Sequence, residues 1–174
     1  MHSTGLALAV VTVIAATSPL FSLEVGTDID NIKIRDADDR PAALPNLGNK
    51  VLTLFYTDPD VADQNDSFAD ALKVKKYPKE KYDGIGIANL KDTWKPNALI
   101  RMIIRQKIEK YKSTILTDPE LILPSAWNLG SCDDQSVIII IGRDKKVYYV
   151  KKGAMSDSDH KKALSIIDDL ISKG

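Results

Sequence analysis

Apolar and polar residues alternate over Asn31-Ile32-Lys33-Ile34-Arg35, the two-residue period of a half-buried strand. Asp36-Ala37-Asp38-Asp39 then supplies turn chemistry, and Pro41 to Leu47 reads as a short extended return. Val51-Leu52-Thr53-Leu54-Phe55-Tyr56 is a continuous apolar run, the pattern of a strand covered on both faces. A helix is expected next, from about Pro59 to Lys75. Asp58 would be its N-cap and Pro59 its first residue, with Val61, Phe68 and Leu72 on the inner face. Gly84 to Leu90 reads as a second buried strand. Asp92 or Thr93 should open a second helix through Pro96, with Leu99, Ile103, Ile104 and Ile108 inside and Arg101, Arg105 and Lys112 outside.

Thr114 to Thr117 is a short strand, and Pro119 to Trp127 a short helix with irregular ends. Val137 to Gly142 is a second continuous apolar strand. The turn Arg143-Asp144-Lys145-Lys146 returns it into Val147-Tyr148-Tyr149-Val150 as an antiparallel partner. Ser156 with Asp159 three residues on resembles a capping box, and it starts a last helix with Leu164, Ile167, Leu170 and Ile171 inside. The order β-β-α-β-α-β-(α)-β-β-α implies an α/β fold. Its mixed central sheet would carry an N-terminal hairpin extension, helices on both faces and an antiparallel closing edge.

Composition narrows the function. The 174 residues, 44% hydrophobic, suit one domain with a sizeable core. Lys plus Arg and Asp plus Glu both number 24, so no net charge draws the chain to nucleic acid or to a membrane surface. Leu6 to Ala16 is almost wholly apolar, and small residues with Pro19 and Ser22 follow it, the pattern of a secretory leader over residues 1–22. No Lys or Arg precedes that run. It falls short of the ~20 apolar residues of a membrane span, so the expectation is an exported, periplasmic domain over residues 23–174 with no stable span. Cys132 is the one cysteine, so no internal disulfide can form, and with only His2 and His160 a zinc site of Cys and His is excluded.

Asp38-Asp39-Arg40-Pro41, Leu47-Gly48-Asn49-Lys50 running into Val51 to Tyr56, and the closing Ile138 to Val147 hairpin with Lys152-Gly153 together resemble the thioredoxin fold, in its TlpA and peroxiredoxin-like branches. A narrower resemblance, to the YtfJ-like group of exported bacterial proteins, rests on Ile87-Ala88-Asn89-Leu90-Lys91-Asp92-Thr93, Pro96-Asn97 with Leu99 and Arg101, Asp118, and Trp127 with Leu129. That group brings no established activity. Two departures from thioredoxins matter. Asp58-Pro59-Asp60-Val61 stands where Cys-x-x-Cys would open the first helix, and Asp134-Gln135-Ser136 where a cis-proline would precede the strand from Val137.

These departures set the candidate site. Strand-to-helix junctions at the C-terminal edge of a sheet are where ligands gather, and the residues expected to line that cleft are Tyr56, Thr57, Asp58, Asp60, Asn89, Cys132 and Gln135. A catalytic residue is expected to be absent; the alternative is Cys132 as a one-cysteine peroxidase or thiol transferase. Against it, Asp133 and Asp134 beside the thiol would raise its pKa. Asp58, Asp60 and Asp63 could hold Ca²⁺, although acids at a helix start need no metal to explain them. No cofactor is implied. The segregation of Lys91, Lys95, Arg101, Arg105, Lys107, Lys110 and Lys112 from the aspartates at 58–70 could form an anion or partner surface, or simply a solvated face. Trp94 and Trp127 read as packing residues and His160 as a solvated one. The expected function is a non-catalytic binding or accessory module of the cell envelope, with an envelope protein as a possible partner and no nucleic acid.

Overall fold

The computed structural model describes residues 22–173, with backbone only at 110 and 111. The strands are β1 Lys33–Arg35, β2 Pro41–Ala43, β3 Val51–Thr57, β4 Tyr82–Asn89, β5 Thr114–Asp118, β6 Ser136–Ile141 and β7 Val147–Lys152. The helices are α1 Asp66–Lys75, α2 Asn97–Tyr111, α3 Ile122–Ala126 and α4 Asp157–Ser172. One seven-stranded sheet runs β2-β1-β5-β4-β3-β6-β7. β3, β4 and β5 are parallel, because α1 and α2 carry the chain back between them; β6, β7 and the β1–β2 hairpin pair antiparallel. The two continuous apolar runs, β3 and β6, are neighbours in the interior of the sheet, covered on both faces, which is why neither shows a polar face.

The period of two sends alternate residues to two cores. Leu52, Leu54 and Tyr56 of β3 join Ile85, Ile87, Val137 and Ile139 under Leu123 and Trp127 of the α3 segment. Val51, Ile138 and Ile140 face the other way, onto Phe68 and Leu72 of α1 and Ala163 and Ile167 of α4. The capping box of α4 forms as expected, with Ser156 and Asp159 bonding each other's backbone N–H. Among the described residues no helix is long and apolar enough to cross a membrane. The leader expected over residues 1–22 lies, apart from Ser22, outside the described residues.

Both crossover helices begin later than the pattern suggests. Asp58 caps a 3₁₀ turn, Pro59–Val61, and α1 opens only at Asp66. Asn65 interrupts: its φ of −125° is not helical, and its amide clamps the loop before α4 through Gly153 O at 3.1 Å and Met155 N at 2.9 Å. In the second crossover, Asp92 is held by the Asn89 amide at 2.7 Å and Lys95 reaches back to Pro59 O at 3.0 Å, so residues 91–95 stay a loop and Pro96 is the N-cap.

α2 is also rotated from its expected register. Ile100 and Ile104 point inward as their spacing requires, but Leu99 and Ile103 are about 40% exposed and Arg101 is buried. The Arg101 guanidinium donates to Asp36 O and Thr117 Oγ1, both at 2.9 Å, and pairs with Asp39 at 2.6 Å. Arg105 adds Ala37 O at 3.1 Å. These acceptors, on the β1–β2 turn and on β5, offset the desolvation of the cation and fix the helix on that side. Arg101→Met, which keeps the stem, should cost about 2 kcal/mol in urea unfolding for the lost charge-assisted bonds. Arg105→Met, at a half-exposed site, should cost less than about 1 kcal/mol.

Candidate functional site

The C-terminal ends of β3, β4 and β5 meet the loop 129–135, and each expected cleft residue is found there. Asp58 is the centre. It is fully buried, and its two carboxylate oxygens accept Asp60 N at 2.9 Å and Asp134 N at 3.0 Å, while its own N–H donates to Gln135 O at 3.1 Å. One aspartate thus caps the 3₁₀ turn and staples the 131–136 loop to the end of β3. Thr57 and Ser136 bond through their hydroxyls at 2.9 Å beside it. Asp60 pairs with Lys95 at 2.6 Å, and that bond holds its carboxyl below the usual carboxylate range.

Tyr56, Asn89 and Cys132 lie on the inner side. The Tyr56 hydroxyl donates to Asp118 at 3.3 Å, and burial followed by the Asp118 charge raises the phenol pKa far above its ordinary value. Asn89 accepts from Lys91 N and donates to Asp92, which folds the loop after β4. Cys132 is 1% exposed, with its thiol 3.6 Å from Gly130 O. Burial pushes the thiol pKa up; Lys152 opposes this, and Asp92 and Asp118 add to it. A nucleophilic thiol needs the reverse, a lowered pKa at an accessible position.

The arrangement therefore brings the expected residues together but closes them. Tyr56, Asp58, Asn89 and Cys132 are buried; Thr57, Asp60 and Gln135 are partly exposed. The carboxylates that converge are Asp58, Asp133 and Asp134, with ligand oxygens within 4.8 Å of one another, rather than Asp58, Asp60 and Asp63. Asp60 is committed to Lys95, and Asp58 already accepts two backbone N–H groups.

Three side chains behave differently from their sequence reading. Asp118, which the sequence offered only as part of a resemblance, is a buried hub: it accepts Ile122 N and Leu123 N at 2.9 Å besides the Tyr56 hydroxyl. Its place before a proline at a strand end was the available signal. Trp94 is 82% exposed instead of packed, because the loop 91–95 turns away to let Lys95 reach Asp60; Trp127 is buried and donates to Asp30 O. His160 is half-buried against Phe68, ring centres 5.3 Å apart, because the first turn of α4 lies over α1.

A family model described as "Bacterial protein of unknown function (YtfJ_HI0045)" matches residues 50–170. The chain belongs to that family. An uncharacterized protein of Haemophilus influenzae is 27% identical over 143 residues, 78% of this chain and 75% of its own. Among solved structures, a candidate thiol:disulfide interchange protein from Chlorobium tepidum superposes with a TM-score of 0.63 at 14% identity, covering 86% of this chain and 99% of that one. An exposed lipoprotein thioredoxin of Streptococcus pneumoniae gives 0.60 at 13% identity over 81% and 100% of the two chains, and a peroxiredoxin-like protein of Aquifex aeolicus gives 0.58 at 11% over 86% and 88%. The fold of this YtfJ-family chain is thioredoxin-like: among the described residues, an α/β mixed sheet of seven strands with four helices. At such identities the likeness carries the fold and not the chemistry.

Proposed function

We propose that this YtfJ-family protein is exported and works in the cell envelope as a non-catalytic binding or accessory module, without thiol–disulfide exchange. The observation that carries the reading is Asp58. It sits at the turn where a thioredoxin would present its nucleophile, and both its oxygens are consumed in holding the backbone. The one thiol nearby is buried with a raised pKa, which leaves no carrier for an electron pair. Export is supported by the apolar run from Leu6 to Ala16 and the small residues after it. The surface left for a partner at this edge is the rim formed by Thr57, Asp60, Ser131, Asp133 and Gln135.

One preparation tests the proposal. The full chain expressed in a Gram-negative host should be recovered from the periplasmic extract at the mass of a chain starting near Leu23. That protein should leave the rate of insulin reduction by dithiothreitol unchanged. Retention of the leader in a cytoplasmic fraction would contradict export, and an acceleration that Cys132→Ser abolishes would contradict the non-redox reading.

A further inference from the structure

A channel of about 790 Å³ runs over the face of the sheet between α1 and α2, within the size range of small-molecule sites. Its floor is β4, where Gly84, Gly86 and Ala88 all point into it. Phe55, Leu72, Ile100, Ile103, Ile104 and Ile115 supply apolar walls. Glycine weakens a strand interior, so its presence twice in succession on one face calls for a reason. Backbone geometry does not supply one, since neither Gly84 nor Gly86 has a positive φ. Crowding does not either: a Cβ on Gly84 would stand 3.8 Å from the Tyr82 hydroxyl, and one on Gly86 3.5 Å from Ile115, both ordinary contacts. What larger side chains would fill is the channel. Its walls come from the rotation of α2, which leaves Ile103 40% exposed on the channel side and Leu99 and Met102 exposed beside it.

The channel has a polarity. α1 and α2 both run down toward the start of β4, so Lys73, Lys76 and Lys107 converge there with Tyr77 and Ser113. Among the described residues no ion pair engages Lys76 or Lys107. At the far end, Lys95 is neutralised by Asp60 and stands with Asp66 and Pro59. The floor offers nothing to a peptide backbone, because β4 is hydrogen-bonded on both sides, to β3 and to β5. An extended peptide lying there would leave its own N–H and C=O groups unpaired. A hydrocarbon chain has no such need. From Tyr82 to Ala88 the floor is about 20 Å long at ~3.3 Å per residue, against about 15 Å for the reach of acyl chains across half a bilayer's ~30 Å core.

We propose that this channel binds a long-chain fatty acid, with the acyl chain along Gly84, Gly86 and Ala88 and the carboxylate between Lys76 and Lys107. The test is calorimetric titration of the full chain with palmitate below its aggregation concentration, repeated with methyl palmitate and with lysophosphatidylcholine. The wild type should bind one palmitate saturably. Ile103→Glu places a carboxylate in the acyl path from an exposed helix position and should weaken palmitate by at least about tenfold with an unchanged melting temperature. Lys76→Glu with Lys107→Glu should weaken palmitate by about tenfold or more and leave methyl palmitate unaffected. The absence of saturable palmitate binding to folded protein, or an Ile103→Glu variant that binds like the wild type, would overturn the proposal. Lysophosphatidylcholine binding more tightly than palmitate would overturn the assignment to a free fatty acid. The channel lies on the sheet face and Cys132 in the opposite core, so palmitate binding and thiol inertness are read independently.

Discussion

Asp118→Ala should lower the stability by about 4 kcal/mol, among the larger single-residue losses, because it strands three donors at once, two of them buried. The Asp118 carboxylate is fully buried and accepts the N–H groups of Ile122 and Leu123, at the start of α3, and the hydroxyl of Tyr56. Each bond to a charged acceptor contributes roughly 1.5–3 kcal/mol, and the three share one group, so the loss is less than their sum. For a chain of this length that corresponds to a fall in Tm of about 8–16 °C. Asp118→Asn keeps an acceptor oxygen but turns an NH₂ toward a donor, so it should recover about half of the loss. Paired urea unfolding curves of the two variants measure this, and a loss below about 1 kcal/mol in Asp118→Ala would show that α3 does not depend on the hub.

Asp58→Ala should cost about 3 kcal/mol, since it leaves the N–H groups of Asp60 and Asp134 without their charged acceptor. Asp58→Ser separates the two roles. A serine hydroxyl can still cap the 3₁₀ turn at Asp60 but is too short to reach Asp134, so about 1 kcal/mol should return. The loop should respond as well as the global fold. With the staple cut, amide exchange at Asp134 and Gln135 should accelerate in both variants while β3 and β6 stay protected. Equal protection of the loop in Asp58→Ala and wild type would remove Asp58 from its stapling role.

What the sequence disclosed and what it concealed divide along the distance between interacting residues. The central strands were legible because Val51–Tyr56 and Val137–Ile141 are unbroken apolar runs. The start of α4 was legible because its capping box closes within three residues. Each is a local signal. The rotation of α2 was not legible, because burying Arg101 makes sense only with Asp36 and Asp39, more than 60 residues earlier, folded beneath it. α1 likewise starts late because Asn65 answers to Gly153 and Met155, 88 and 90 residues on. At the junction after β3, the sequence showed Asp58-Pro59-Asp60-Val61 in place of a thiol pair. It gave no sign that Asp58 would be buried by a loop 76 residues away, nor that the same loop would bury Cys132. The channel between the helices was invisible for the same reason: its exposed isoleucine wall exists only in the rotated register.

Whether this fold exchanges electrons turns on the state of its single thiol, and alkylation at pH 7 reads that state directly. The native protein, held with excess iodoacetamide and followed by intact mass, should remain unmodified at Cys132 while the urea-unfolded chain takes up one adduct at the rate of a free cysteine. Exposure to stoichiometric hydrogen peroxide should likewise leave the native mass unchanged. Modification of the native protein as fast as the unfolded chain, or a sulfenic acid formed at one equivalent of peroxide, would contradict a buried, inert thiol and make Cys132 a redox centre.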